Sequence, residues 1–202
     1  MGKTPVARKL TRGEAGSLVK LVIARYNMRY GKPINSTTLS QLLFLALYTA
    51  RRDNTLALLR RPRARLPVLF RLLNAPYLPI GRLLGRVGVG DVVWVGDGYS
   101  IRDPARAFWG SYNALVQGGL KDLTDYAVRV VDEYGGYSED SLIELSTEVL
   151  RLSPMIRAMA FNMSLDAYIE ARRALRKVFE SNEYVDEEVV FPELFKRAQP
   201  PH

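Results

Sequence analysis

The sequence predicts a mainly α fold with one β-hairpin. Apolar residues recur at helical spacing along most of the chain, with Gly and Pro falling between those stretches. Only one place carries two β-branched and aromatic runs around a tight turn: Asp91-Val92-Val93-Trp94-Val95, then Gly96-Asp97-Gly98, then Tyr99-Ser100-Ile101. Glycine supplies the positive φ such loops need, so this is the hairpin.

The elements follow in order. Residues 2–12 are polar and basic (Lys3, Arg8, Lys9, Arg12) and read as a loose arm. A first helix is expected over 14–30, where Leu18, Val19, Val22, Ile23, Tyr26 and Tyr30 form one apolar face. Gly31 ends it and Lys32-Pro33 turns the chain. Asn35 or Ser36 caps a second helix running to about Arg52; it is apolar nearly all round and therefore central. Pro62, Pro67, Pro76 and Pro79 break the next stretch, leaving room for short helices over 55–60, 66–73 and 80–87. Beyond the hairpin the chain reads as helical again. Segments begin at Pro104, before Leu123, after Ser138, around 156–161 and after Ser164, with Leu175 and Phe179 facing inward on the last. The order helix, helix, short helix, hairpin is that of a winged helix, which presents one helix to a DNA major groove. The expected organisation is a winged-helix-like basic domain over 13–103, a C-terminal helical bundle packed on it over 104–180, and an acidic tail over 181–202.

Charge carries the functional signal. Residues 1–110 hold 19 Lys+Arg against 5 Asp+Glu, and residues 111–202 hold 10 against 16. Such asymmetry points the first half toward an anionic partner, or toward the acidic half of a second copy. The densest cluster, Arg60-Arg61-Pro62-Arg63-Ala64-Arg65, reads as an exposed positive loop because its proline forbids regular helix. Arg71 belongs to the presented helix if that helix is 66–73, and Arg82 and Arg86 belong to it if it is 80–87. Arginine suits the task because its planar fork grips phosphate or a guanine edge with two hydrogen bonds. The expected nucleic-acid contacts are therefore Arg60, Arg61, Arg63, Arg65, Arg71, Arg82 and Arg86, with duplex DNA the preferred partner and RNA a workable one. The competing use of the loop is pairing with Glu183, Asp186, Glu187 and Glu188 of the tail. Asp97 at the hairpin tip argues against a phosphate contact there.

Catalytic chemistry finds few parts. With no cysteine and a single histidine at the last position, His202, thiolate nucleophiles, the common triads and transition-metal sites are excluded. Gly2-Lys3-Thr4 lacks the strand and glycine-rich turn of a phosphate loop. Asp132-Glu133 and Glu139-Asp140 sit near helix ends, where acids usually cap, so a carboxylate-only magnesium site is the one metal chemistry left open. No cofactor is implied. No apolar run approaches the roughly 20 residues that span a bilayer, and Met1-Gly2-Lys3-Thr4 does not open a signal peptide, so a cytoplasmic protein away from membranes is expected.

Tyr30-Gly31-Lys32-Pro33-Ile34 and then Leu39-Ser40-Gln41-Leu42-Leu43-Phe44-Leu45-Ala46 resemble the opening of the Panacea-type family, phage-associated and antitoxin-like proteins with a helical, winged-helix-like core. Ala75-Pro76-Tyr77, Tyr99-Ser100-Ile101-Arg102-Asp103, Val131-Asp132-Glu133-Tyr134-Gly135 and Glu139-Asp140-Ser141-Leu142-Ile143-Glu144-Leu145-Ser146 are similar in style. The resemblance covers about residues 18–154. It departs from the family at Thr147 and Pro154, where a histidine and a tryptophan are usual, and in the arginine-rich loop. It implies a small partner-binding domain that neutralises a toxin, with no catalytic residues to carry over. Two functions thus follow: a regulatory DNA-binding protein, or an antitoxin-like protein-interaction module, in either case with a protein partner or homodimer open, and in neither an enzyme.

Overall fold

A computed structural model describes residues 7–52, 55–67, 70–73, 75–152 and 154–180. The start of the expected basic arm, the acidic tail over 181–202, and the side chains of Leu175 and Phe179 lie outside the described residues. The fold is mainly helical with small antiparallel hairpins.

Helix α1 (Arg12–Tyr30) begins earlier than its apolar pattern, because Thr11 and Glu14 form a capping box. The Thr11 hydroxyl accepts from the Glu14 N–H at 3.2 Å, and the Glu14 carboxylate accepts from the Thr11 N–H at 2.8 Å. Gly31, at φ 65°, closes the helix by donating to the Asn27 carbonyl. Helix α2 (Ser36–Tyr48) is capped by Asn35, whose side chain accepts from the Thr38 N–H at 2.7 Å. Every residue from Thr38 to Tyr48 is buried, as expected of a central helix.

α2 stops at Tyr48, short of the expected Arg52. Thr49 turns extended, its hydroxyl bonding back to the Leu45 carbonyl at 2.7 Å, and the chain enters strand β1 (Thr49–Arg52). β1 pairs antiparallel with β2 (Thr55–Leu58), in register Thr49↔Leu58. The short helix expected over 55–60 is therefore a strand. The helix expected over 66–73 is not formed either: residues 71–73 are strand β3 (Arg71–Leu73), paired with β4 (Ala75–Tyr77). The reason is physical. Leu-rich windows of six to eight residues fit helix and strand alike, so hydrogen-bond partners decide between them. Here Phe70 and Leu72 accept from the Leu165 and Asn162 N–H groups, Leu72 donates to the Met163 carbonyl, and Gln41 reaches the Pro76 carbonyl at 2.8 Å.

Helix α3 (Ile80–Val87) occupies the span expected of it. Hairpin β5 (Val92–Val95) and β6 (Gly98–Ile101) follows, with Gly96 at φ 61° and Asp97 at the tip. Ile34, between α1 and α2, exchanges two backbone hydrogen bonds with Tyr99 of β6, at 2.9 and 2.7 Å. That third rung comes so close that a Cβ on Gly98 would stand 2.8 Å from the Ile34 carbonyl oxygen, which is why the position needs glycine.

Asp103 then caps α4 (Pro104–Gln117), accepting from the Arg106 N–H at 3.0 Å. α5 (Lys121–Tyr134), α6 (Glu139–Leu150, capped by Ser138), α7 (Pro154–Met159) and α8 (Leu165–Glu180, its start capped by Ser164) complete the chain. α1 packs on α4 and α5, and α2 on α5 and α6. α1 is consequently buried on more than the single face its pattern suggested, Gly16 and Ala24 included. One apolar cluster runs from Leu10 to Ile169, centred on the aromatic contacts of Phe44, Tyr48 and Phe70.

Candidate nucleic-acid interface

Charge separated along the sequence is partly cancelled in space. Arg25 of α1 grips Asp132 of α5 with two hydrogen bonds, at 2.7 and 2.8 Å, and also lies over the Phe108 ring. That hydrogen-bonded carboxylate holds the Arg25 guanidinium even more firmly protonated than usual, against the opposing effect of burial. Arg51 of β1 reaches Glu133 at 2.8 Å. Arg65 approaches Asp166 at 3.6 Å and Glu170 at 4.0 Å, both on α8. Among the described residues, Arg25, Arg51 and Arg65 of the basic half thus pair with carboxylates of the acidic half of the same molecule.

The Arg60–65 loop departs from the exposed positive loop that its composition suggests. Its main chain is stitched down: Arg63 N–H donates to the Leu47 carbonyl, Arg65 N–H to that of Arg8, and Leu10 N–H to that of Arg65. Pro62, Ala64 and Leu66 are buried, which draws the arginines between them half inward. The Arg63 guanidinium stacks on the Tyr126 ring at 4.1 Å, a cation–π contact. Asp166, against Arg65, has its carboxyl pushed above the ordinary value by burial, an effect the Arg65 charge only partly offsets. Arg60 and Arg61 remain exposed, and the Arg60 carbonyl accepts from the Arg173 guanidinium. Arg71 is exposed at the start of β3 and donates to the Asn162 carbonyl at 3.3 Å.

α3 is different. Ile80 and Leu83 are buried, while Gly81, Arg82, Gly85 and Arg86 face solvent. Neither Arg82 nor Arg86 forms an ion pair with a described carboxylate. The two glycines are not required by packing, since a Cβ at either would meet nothing within 4 Å. Each costs the helix about 1 kcal/mol relative to alanine. An eight-residue helix carrying both is less stable than it could be, and its outer face is bare backbone flanked by two guanidinium groups.

The hairpin exposes Trp94 and Val95, 57% and 48% accessible, with the Trp94 ring edge-on to Tyr99 at 4.8 Å. Sequence reasoning singled out Asp97 at this tip but not the exposed apolar pair. It also missed Lys20, Arg102 and Arg106, which share a cleft between α1, α4 and the hairpin. The available signal was Gly110, a glycine in the middle of a stretch that otherwise reads as helix. Among the described residues no cluster of acidic or histidine side chains could hold a metal, and no helix is long and apolar enough to cross a membrane. No family model matches the chain, nor does any curated protein or any solved structure.

Proposed function

We propose that the chain is a regulatory protein that binds duplex DNA through α3, with the β5–β6 hairpin alongside in the manner of a winged helix. The element order supports this reading: α1, an extended rung at Ile34 that joins β6, α2, α3, then the hairpin. Hairpins β1–β2 and β3–β4 are then an insertion between α2 and α3. The observation that carries the proposal is the solvent face of α3, composed of Gly81, Arg82, Gly85 and Arg86, with both arginines free of described carboxylates. Bare helix backbone admits a close partner, and two arginines one turn apart reach phosphate or base edges. Arg60, Arg61 and Arg71 are secondary phosphate contacts in this account. Arg63 and Arg65 hold the fold together instead.

Fluorescence anisotropy with a labelled duplex tests the reading. The full chain binds, and replacing Arg82 and Arg86 together by Ala weakens binding about tenfold or more. Replacing Arg63 leaves DNA affinity nearly unchanged. A wild-type chain that ignores duplex DNA, or a double variant that binds it equally well, contradicts the proposal.

One observation favours a second reading, a protein-interaction module of antitoxin type. The hairpin offers Trp94 and Val95 beside the acidic Asp97, a combination that suits an apolar protein surface better than a phosphate backbone. Replacing Trp94 by Ser separates the two: it leaves DNA affinity intact if α3 makes the contact, and abolishes capture of a protein partner if the hairpin does.

A further inference from the structure

A cleft of about 770 Å³ lies between α1, α4 and the β5–β6 hairpin. Its carboxylates are already engaged: Asp91 accepts from the Lys20 ammonium at 2.7 Å, and Asp103 caps α4. Arg102 and Arg106, which also line it, form no ion pair within 4 Å of a described carboxylate, although Arg106 adds to Lys20 in holding the Asp91 carboxyl below its ordinary pKa. Positive charge therefore prevails, with Lys20, Arg102 and Arg106 set against Asp91 and Asp103.

Two further observations point to an occupant. Ser111 is only 6% exposed and lines the cleft, yet its hydroxyl has no hydrogen-bond partner among the described residues. A helical hydroxyl in that position commonly bonds to the carbonyl four residues back, as Thr124 does to Leu120 at 2.8 Å. Gly110, one position earlier, weakens the middle of α4 without any packing need, and its missing side chain keeps the cleft open.

We propose that this cleft binds a small organic phosphate. Arg102 and Arg106 take the phosphate oxygens through their planar forks, Lys20 lends charge from the opposite wall, and the Ser111 hydroxyl donates a hydrogen bond. The volume exceeds what inorganic phosphate fills and falls in the range of small-molecule sites, so the organic portion rests on Val93, Ile101 and Ala107.

The test is calorimetric titration of the full chain with ribose 5-phosphate, adenosine monophosphate and inorganic phosphate. At least one organic phosphate binds saturably and more tightly than inorganic phosphate. The variant Arg102→Ala/Arg106→Ala loses about tenfold or more in affinity, as expected for removing two charge-assisted contacts. Gly110→Leu fills the cleft and abolishes binding while melting at or above the wild-type temperature; should it fail to fold, the double-arginine variant decides alone. Arg82→Ala/Arg86→Ala binds the probes like wild type, which separates this site from the α3 surface. Failure of both organic phosphates to bind saturably, binding no tighter than that of inorganic phosphate, or full affinity in the double-arginine variant overturns the proposal.

Discussion

Arg65 and Asp166 meet at 3.6 Å with most of the Asp166 side chain out of solvent, and each keeps one buried polar atom without a hydrogen bond. Because burial raises the Asp166 pKa, the folded state favours the protonated acid. The cost of ionising it therefore appears as pH rises above the unfolded value of about 3.9. Arg65→Ala removes the charge that offsets this cost. It should destabilise the protein by about 1–3 kcal/mol at pH 7, and by less near pH 4, as urea denaturation at the two pH values would measure. A loss independent of pH would mean that Arg65 acts by packing alone. Glu14 behaves oppositely. Burial works against its charged form, but the Thr11 N–H, the Thr11 hydroxyl and Arg8 together hold its pKa below the ordinary value. The capping-box contribution is thus complete at neutral pH and fades as pH falls through that lowered value. Glu14→Ala should cost about 1 kcal/mol at pH 7 and little in acid.

At the scale of elements, α3 makes a distinctive prediction. Replacing Gly81 and Gly85 together by Ala should stabilise the helix by about 1–2 kcal/mol, since both new methyl groups point into open space. The same change should weaken DNA binding, because it thickens the face the partner must approach. Higher stability with unchanged affinity would sever α3 from function. Elements marked by a chemical start or stop were legible in the sequence. Asn35, Ser138 and Ser164 cap the helices they announce, Gly31 closes α1, and Gly96-Asp97-Gly98 makes the hairpin. The short stretches 55–60 and 66–73 were not legible: the first becomes strand only by pairing with Thr49–Arg52, where α2 was expected to continue, and the second is fixed by Leu165 and Asn162, about ninety residues away in the chain. The candidate site divides in the same way. Arg82 and Arg86 could be read from helical spacing around Ile80 and Leu83, whereas the inward turn of Arg63 and Arg65 depends on Tyr126 and Asp166.

For the whole molecule, the single apolar cluster binds both halves into one cooperative core. Leu43, fully buried at the centre of α2, is its most direct probe. Leu43→Asp buries a carboxylate with no available partner and should leave the chain unfolded by circular dichroism at 25 °C. A folded variant would refute the core described above. The net charge of +8 is the other global property, and it acts on partners through whatever cations the acidic helices leave unneutralised. Arg25, Arg51 and Arg65 are engaged internally, whereas Arg82 and Arg86 form no ion pair with a described carboxylate. The salt dependence of duplex-DNA affinity tests this account most directly. A plot of log affinity against log salt should fall steeply for the wild-type chain. Its slope should shrink by about 2 in Arg82→Ala/Arg86→Ala, roughly one unit for each phosphate that an arginine no longer neutralises. Affinity insensitive to salt, or a slope the double variant leaves unchanged, would contradict it.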